Sequence, residues 1–475
     1  MPVDHPLRTA CAVVLTLLPV AGAHAADLLD VYELAQRNDP TFAAAQAEYQ
    51  AELEARPQAR AALLPQVNAS AAYSDNSQES ESGPGGTVES DYTNKQYQLE
   101  LRQPLFDWAA FAGLDRADAR IARAEANLAA AKQELILRVS EAYFNVLSAR
   151  DGVRFAEAEK KAIGRQLEQA QQRFEVGLIP ITDVKSAQAS YDLAVAREIE
   201  ARNTLENARE ALRTLIERIP GRLDAVADDL PLTRPQPNDV AAWVERALEQ
   251  NPEFLAARAN AEVARYDIKQ ARAGHYPEVD LFARRTDSDR SYDGNATAAL
   301  SNGGGGTTDS IGIELTWNLF SGGATSSRTD QARSLFQAAQ SRMVQARRSA
   351  SQSTRDAFRG LAAAISQVKA LRQAVESNEA AVEAERAGFR VGTRTAVDVL
   401  SALRDLYGAQ RDFADARYNY ILNRLRLKQA SGTLTMDDVR VVNAWLRATA
   451  SGGGTSTGTA TDTQTSIAGD AGNGE

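Results

Sequence analysis

The sequence predicts a mainly α-helical protein that also supplies strands to a membrane β-barrel. Two very long segments lack proline and repeat apolar residues every seven positions, which is typical of coiled-coil helices. Four short segments alternate apolar and polar residues, as the strands of outer-membrane barrels do. The same succession of patterns occurs twice, so the chain of 475 residues is predicted to be a two-fold internal repeat.

The overall charge of the chain is acidic. It contains 53 Lys+Arg and 63 Asp+Glu residues, which gives a formal net charge of -10 and a pI near 5.2. Surfaces that bind nucleic acids are usually basic, so no nucleic-acid partner is expected. Aromatic residues make up only 6% of the chain, and this composition favours long, closely packed helices over one large globular core.

The N-terminal segment has the features of a signal peptide. Arg8 precedes an apolar stretch at 10–20, and the small residues Ala23 and Ala25 frame a cleavage site. We therefore expect cleavage after Ala25. A membrane anchor is the alternative, but the apolar run is too short to span a bilayer as a helix.

Cleavage would remove most of the chemically reactive side chains. Cys11, His5 and His24 all lie in the signal segment, so His275 is the one histidine of the mature chain. A lone histidine without cysteine predicts no disulfide, no metal site and no cofactor. His275 lies in "GHYPEV", where a loop histidine is a simpler interpretation than a catalytic triad member. With no glycine-rich phosphate loop either, the chain is predicted not to be an enzyme.

The internal repeat is clearest in one short segment. RFEVGLIPITDVKSA at 173–187 recurs as GFRVGTRTAVDVLSA at 388–402, 215 positions later. Pro40 and Pro252 show the same relation at 212 positions, so the halves differ only by small insertions. Two copies are too few for a solenoid and indicate a pseudo-symmetric protomer.

The repeat divides the chain into predicted domains. In order, they are a signal peptide at 1–25, a first structural repeat at 26–218, an equatorial segment at 219–250, a second structural repeat at 251–430, an equatorial C-terminal segment at 431–447 and a disordered tail at 448–475. The tail is rich in Gly, Ser and Thr, a composition that cannot bury a core. Each repeat is predicted to contain a short helix, two strands, a long helix and a return helix.

The short helix that opens each half is predicted at 40–62 and at 252–274. Each has a proline in its first turn, and the asparagines Asn38 and Asn251 are its predicted caps. The return helices cover about 35 residues, so a return helix and a short helix laid end to end nearly match one long helix. We therefore expect each long helix to pack against two stacked shorter ones, with the equatorial segments forming a belt where they meet.

Four segments are predicted to be strands. Alternation is clear at 96–102 and 310–320 and weaker at 66–74 and 278–285. A soluble sheet with one face on a core is the alternative. Charged side chains on the polar faces and aromatic residues at the strand ends favour a membrane barrel instead.

The connections between these strands, at 75–94 and 286–308, are rich in Gly, Ser and Asp and are expected to be exposed outer loops. Four strands are too few to close a barrel, for which about eight are needed in a single chain. An open sheet edge is not viable in lipid, so several chains must share one barrel.

The long helices are predicted between Asp107 and Val176 and between Ser321 and Val391, where no proline occurs. Each would reach roughly 105 Å at about 1.5 Å per residue. The seven-residue series on the second one comprises Leu361, Val368, Val375, Val382 and Phe389. The series on the first long helix is interrupted by Lys160, and the series on its return helix contains Glu198.

Several segments resemble one family. "AYFNVLSA", "RQLEQAQQRFEVGL", "GHYPEVDL", "GTRTAVDVL" and "ARYNYILNRLRLKQASGTL" are similar to the TolC family of outer-membrane efflux ducts of Gram-negative bacteria, and the resemblance runs from about Asp27 to Leu446. It implies a homotrimer in outer-membrane lipid, with a shared barrel that continues as an α-helical periplasmic tunnel.

The same resemblance implies the function and the partners. The duct would be passive and would be opened when a periplasmic adaptor protein and an inner-membrane pump dock onto it, in multidrug export or type I secretion. The alternative, from another class of protein, is a soluble periplasmic coiled-coil adaptor or scaffold.

The resemblance also assigns the repeated segment to the periplasmic tips of the helix hairpins. Gly177 and Gly392 would form the tip turns. The alternative is that each glycine is an ordinary helix C-cap, which is compatible with a place in the turn. Asp398 matches the first of two aspartate rings at the narrowest point of the tunnel. The second ring position is Ser401 here, which departs from the family pattern and makes the mouth less acidic.

A closed-state latch is the second feature that the resemblance implies at the tips. Thr182, Asp183 and Arg394 match its members, whereas Phe389 stands where the family often has tyrosine, so that hydroxyl is missing. The alternative is that Asp183 and Asp398 cap the N-termini of the return helices. Asp183 suits this role better, because Asp398 lies further inside its predicted helix.

Overall fold

The fold comes from a computed structural model, which describes residues 26–81, 87–218, 221–227, 229–293 and 304–447. The predicted signal peptide and C-terminal tail lie outside the described residues. The chain is mainly helical, as predicted. Within the described residues, no helix is long and apolar enough to cross a membrane.

The helices are α1 (Leu28–Asn38), α2 (Pro40–Leu53), α3 (Ala55–Ala61), α4 (Trp108–Glu175), α5 (Ile181–Ile216), α6 (Val240–Gln250), α7 (Pro252–Ala273), α8 (Ala324–Arg390), α9 (Ala396–Ala430) and α10 (Met436–Asn443). The strands are β1 (Gln66–Glu81), β2 (Thr87–Phe106), β3 (Ala225–Val226), β4 (Glu278–Asp293), β5 (Gly306–Thr316) and β6 (Leu446–Arg447). The predicted long helices are α4 and α8, with 68 and 67 residues, and the return helices α5 and α9 have 36 and 35.

The four long strands form one antiparallel sheet in the order β1-β2-β4-β5. The prediction of outer loops at 75–94 and 286–308 is wrong at 75–81, 87–94, 286–293 and 306–308, which belong to the strands. Residues 82–86 and 294–303 lie outside the described residues. The β1–β2 ladder runs without a break from Gln66 opposite Arg102 to Glu81 opposite Thr87. Antiparallel pairing satisfies the backbone hydrogen bonds of these polar residues, so the ladder extends beyond the region of apolar alternation.

The two faces of this sheet differ in polarity. One face carries apolar side chains that are exposed in the single chain, including Val67 at 62% and Ile313 at 68%. The other face carries ion pairs between strands, in which Arg102 contacts Asp280 and Arg284 lies 3.0 Å from Glu100. Within the described residues, the outer edges of β1 and β5 have no strand partner.

Each long helix packs against shorter helices that are stacked end to end, as expected from the helix lengths. α4 packs against α5 along one part of its length and against α2 and α3 along another, and α8 likewise packs against α9 and α7. Side-chain hydrogen bonds join the ends of the stacked helices. The amide of Asn38 donates to the Ile216 carbonyl at 3.2 Å, and the amide of Asn251 donates to the Ala430 carbonyl at 3.0 Å. α4 also contacts α7 and α9, which joins the two halves.

The first short helix differs from its prediction in two ways. It divides at Glu54 into α2 and α3, whereas a single helix at 40–62 was expected. Its cap is Asp39, whose carboxylate accepts the Phe42 N–H at 2.7 Å, and Asn38 is instead the last residue of α1. The carboxylate of Asp39 is buried and also pairs with Arg138 of α4 at 3.0 Å, which anchors this end of the helix.

The two charged residues that interrupt the apolar series of α4 and α5 contact each other. Lys160 and Glu198 form an ion pair across the helix interface, and Arg202 lies 2.6 Å from the same carboxylate. The hydrogen bond from Lys160 lowers the pKa of Glu198, and the same bond raises the pKa of Lys160. The buried Glu159 of α4 also pairs with Arg197 of α5 at 2.7 Å. Paired polar sites in an apolar seam specify which residues face each other.

An equatorial belt lies where the stacked helices meet. It comprises α1, α6, α10 and the small β3–β6 sheet, and these elements contribute side chains to the largest buried apolar cluster among the described residues. Tyr143 is fully buried there and donates to the Asp224 carbonyl at 2.9 Å. Gly432, which has a φ of 75°, packs directly against the backbone of Gln250 at the end of α6.

Candidate functional site

The candidate site consists of the turns that join α4 to α5 and α8 to α9. At the first turn Gly177 has a φ of 75°, which favours glycine. The Leu178 N–H donates to the Arg173 carbonyl and the Gly177 N–H donates to the Phe174 carbonyl, both at 2.9 Å. This hydrogen-bond pattern is a Schellman motif, which ends a helix and reverses the chain.

The second turn has the same construction. Gly392 has a φ of 81°, the Thr393 N–H donates to the Gly388 carbonyl at 2.9 Å, and the Gly392 N–H donates to the Phe389 carbonyl at 3.3 Å. Because both turns are Schellman motifs, the repeated segment of the sequence corresponds to a repeated backbone geometry. The interpretation of both glycines as helix C-caps is thus confirmed.

Asp398, and not Asp183, takes part in the N-terminal capping of a return helix. Thr395 is the N-cap of α9, and its N–H and its hydroxyl each donate to Asp398 Oδ2 at 2.9 Å. The Asp398 N–H donates back to Thr395 Oγ1 at 3.2 Å, which completes a capping box. At the first tip the N-cap is Pro180, and it has no side-chain cap bond. The preference for Asp183 as the cap is therefore wrong, because proline offers no hydroxyl to reciprocate.

The capping box also sets the charge of Asp398. The hydrogen bonds from the Thr395 N–H and hydroxyl hold the pKa of Asp398 below its ordinary value, with a smaller contribution from the nearby Arg394 cation. Within one chain the carboxylate therefore stays ionised at neutral and mildly acidic pH. It is a fixed negative charge at the start of α9.

Ser401 lies one turn further along α9 and has a cationic neighbour. The Arg404 guanidinium donates to Ser401 Oγ at 3.1 Å and lies 3.3 Å from the Asp405 carboxylate. Arg404 was not identified from the sequence, although its place three residues after Ser401 puts it on the same helix face. The second ring position is therefore a serine that contacts a positive charge.

The predicted latch residues do not contact one another within one chain. Arg394 pairs with Glu385 of its own hairpin at 3.4 Å, and its side chain lies over Gly388, where an added Cβ would be 2.6 Å from Arg394 Cγ. Thr182 is exposed and Asp183 is half-buried. No hydrogen bond or ion pair joins either of them to Arg394 in the described part of the chain.

Phe389 joins the two hairpins through a residue that was also missed. The Arg173 guanidinium lies 4.3 Å from the centroid of the buried Phe389 ring, and it donates to the Phe389 carbonyl at 3.2 Å. A cation over an aromatic face is a favourable contact. The sequence contained one signal, because the repeat counterpart of Arg173 is Gly388 and the two tips differ at that position.

The outermost residues of the tips are apolar and exposed. Val176, Leu178 and Val391 are 70–76% exposed. Exposed apolar patches of this kind often mark surfaces that bind another protein. In the described part of the chain, no group of three or more His, Cys, Asp or Glu side chains is arranged to hold a metal ion.

The sequence comparisons match most of the chain. The model of the family described as "Outer membrane efflux protein" matches residues 31–217 and 243–433. Outer membrane protein TolC of Vibrio cholerae is 41% identical over 426 residues, which cover 89% of this chain and 94% of that protein. The alkaline protease secretion protein AprF of Pseudomonas aeruginosa is 34% identical over 438 residues, 90% of this chain and 89% of AprF.

A comparison of structures gives the same fold. The outer membrane protein VceC of Vibrio cholerae superposes with a TM-score of 0.71 at 21% sequence identity, covering 85% of this chain and 96% of VceC. At this identity the likeness concerns the fold alone. It agrees with the arrangement of long helices and a four-stranded sheet described above.

Proposed function

Since the chain belongs to the family of outer membrane efflux proteins, we infer that it is an outer-membrane exit duct for efflux or type I secretion. The family description names efflux and the relative AprF is named for protease secretion, and both support this assignment. They favour it over a soluble periplasmic adaptor or scaffold. The family consists of transport channels rather than enzymes.

The observation that carries the proposal is the sheet with unpaired edges and an exposed apolar face. Unpaired backbone groups are not tolerated in lipid, so β5 of one copy must pair with β1 of the next. We propose a homotrimer whose copies share one barrel in the outer-membrane lipid. The apolar face, with Val67 and Ile313, would contact lipid, and the face with Arg102 and Asp280 would line the lumen.

The helices would form the periplasmic part of the duct. α4 and α8 are each about 100 Å long at about 1.5 Å per residue. We propose that the three copies arrange these helices as a tunnel, in which the two structural repeats of each copy contribute equivalent hairpins. The matching element order of the halves, with an equatorial segment between the repeats, supports this proposal. The signal peptide would direct export across the inner membrane and would be cleaved after Ala25.

The tips would form the periplasmic mouth of the tunnel. In a trimer three copies of Asp398 surround the axis, and six hairpin tips present their exposed apolar residues to the periplasm. We propose that a periplasmic adaptor protein docks there, that an inner-membrane pump supplies the energy, and that docking opens the passive duct. Thr182, Asp183 and Arg394 are proposed to hold the mouth closed through contacts between copies.

Conductance of the purified protein in a lipid bilayer tests the proposed function. A duct should require detergent for extraction, migrate as a heat-modifiable trimer and form discrete channels. Release into aqueous buffer as a monomer without channel activity would instead support the adaptor alternative.

Replacing Asp398 by Asn should largely abolish block of the channel by a trivalent cation added from the periplasmic side. Three confined carboxylates attract multivalent cations, and hard oxygen ligands bind them well. The half-blocking concentration should rise by about tenfold or more when the charge is removed. Bilayer current under titration of the cation on each side in turn is the measurement.

The Asn side chain keeps an oxygen that can accept the Thr395 N–H, so the helix cap should survive the change. Thr395→Ala is the matched control, because it weakens the cap and leaves the Asp398 charge in place. If block is lost in Thr395→Ala and retained in Asp398→Asn, Asp398 is only a helix cap and the assignment of the aperture is wrong.

Replacing Arg394 by Ser should raise the conductance of the isolated duct. Removal of the cation would break its contact with Glu385 and any contact with Asp183 of another copy, so the closed state would lose stability. The measurement is single-channel conductance without adaptor or pump. Arg390→Ser is the control, because Arg390 is an exposed arginine at the end of the same helix. Equal conductance of wild type and Arg394→Ser would exclude Arg394 from the latch.

A further inference from the structure

The equatorial belt contains a pocket that the proposed duct mechanism does not use. It has a volume of about 350 Å³ and lies between the segment at 233–236, α6, α8 and α9. Its lining combines an apolar floor with a cationic rim. A concave apolar site with a few convergent polar groups is typical of small-molecule binding sites.

The floor of the pocket is formed by Trp243, Leu361 and Leu427, which are all buried in the core. The indole N–H of Trp243 donates to the Pro237 carbonyl at 2.8 Å, so the ring offers the pocket only an apolar surface. This floor therefore suits an apolar or aromatic group and offers it no hydrogen bond from Trp243.

The rim of the pocket is positively charged. Arg424 donates to Thr233 Oγ1 at 2.8 Å and its guanidinium lies 5.1 Å from the Trp445 ring centroid, but neither contact neutralises its charge. Arg234 is exposed. In the described part of the chain, neither arginine has an acidic partner. Lys428 differs, because Asp438 lies 3.4 Å from its ammonium group.

Two uncompensated guanidinium groups above an apolar floor are complementary to a negative headgroup on an apolar stem. Guanidinium groups bind carboxylates and phosphates through paired N–H donors, and this geometry is stronger than that of a neutral hydrogen bond. We propose that the equatorial pocket binds a small anionic amphiphile, with its phosphate or carboxylate between Arg234 and Arg424 and its stem against Trp243. This site lies away from the hairpin tips and the barrel.

Isothermal titration calorimetry of the full-length protein in lipid nanodiscs tests this proposal with four probes. Phenyl phosphate and phenylacetate carry the two headgroups on the same stem and should both bind saturably, and the tighter of the two identifies the headgroup. Inorganic phosphate lacks the stem, and phenyltrimethylammonium reverses the charge, so neither should bind. Absence of saturable binding, or equal binding of either of the last two probes, would overturn the proposal.

Arg234→Gln is the decisive variant, because the Arg234 side chain is exposed and its replacement leaves the buried core intact. It should weaken binding of the anionic probe by about tenfold, as expected for loss of one charged hydrogen-bond donor. Arg424→Gln should do the same. Arg342→Gln, an exposed arginine of α8 outside the pocket, is the charge-matched control. Unchanged affinity in Arg234→Gln and Arg424→Gln would refute the site and leave the duct assignment untouched, since calorimetry does not depend on conduction.

Discussion

Replacing Glu168 by proline should prevent assembly of the trimer and abolish export. Glu168 lies within α4, and its side chain is exposed, so the change acts through the backbone. Proline removes one hydrogen bond of the helix and its ring clashes with the preceding turn, which costs about 3 kcal/mol or more. The resulting kink would displace the α4–α5 tip, which lies only two turns further along the helix. Trimer yield on unheated gels and an export assay measure the effect.

Glu168→Ala is the matched control and should assemble normally, because alanine is the best helix former. It removes the same side chain and keeps the backbone N–H. Normal trimer yield and normal export in Glu168→Pro would contradict the proposal that α4 is a continuous wall element of a tunnel.

Replacing Gly432 by Ala should prevent stable folding of the equatorial belt. An added Cβ would lie 2.2 Å from the Gln250 carbonyl oxygen and 2.6 Å from the Asn251 backbone nitrogen. Real Cβ atoms do not approach backbone atoms so closely, so α6 and α7 would have to move away from α9. The φ of 75° adds about 1–2 kcal/mol for any residue with a Cβ. The thermal midpoint of trimer dissociation should fall steeply, or no trimer should form.

Gly177→Ala separates the two contributions to this effect. Gly177 also has a φ of 75°, but nothing lies within 4 Å of an added Cβ there. It should therefore show the conformational cost alone, about 1–2 kcal/mol. Similar losses of stability in both variants would mean that the close approach at Gln250 is relieved by a small local shift.

The long helices and their hairpins could be predicted from the sequence because their signals are local and repeated. The absence of proline and the seven-residue apolar series fixed the extent of α4 and α8 to within a few residues. The glycine turns were also predictable, since the positive φ of Gly177 and Gly392 is a backbone requirement that few other residues meet.

Features that depend on partners across the fold could not be predicted in the same way. The polar extensions of β1 and β2 are strands because each pairs with the other, and neither has an apolar pattern of its own. The side-chain environment of Phe389 depends on Arg173, which lies in the other hairpin. The capping role of Asp398 could have been predicted from the sequence. Thr395 lies three residues before it and can form a capping box, whereas Pro180 at the same place in the first tip cannot.

The pair of Lys160 and Glu198 has a consequence for how the first hairpin finds its alignment. A seven-residue apolar series matches its partner equally well after a slip of one heptad, which would move α5 by about 10 Å along α4. Such a slip would separate Lys160 from Glu198, and separating a charged pair that is partly buried is costly. The pair therefore favours one alignment of the two helices, together with the neighbouring pair of Glu159 and Arg197. A chain with leucine at both positions could pack this interface more tightly. Its α5 helix could then also pair with α4 one heptad out of register, which would displace the α4–α5 turn.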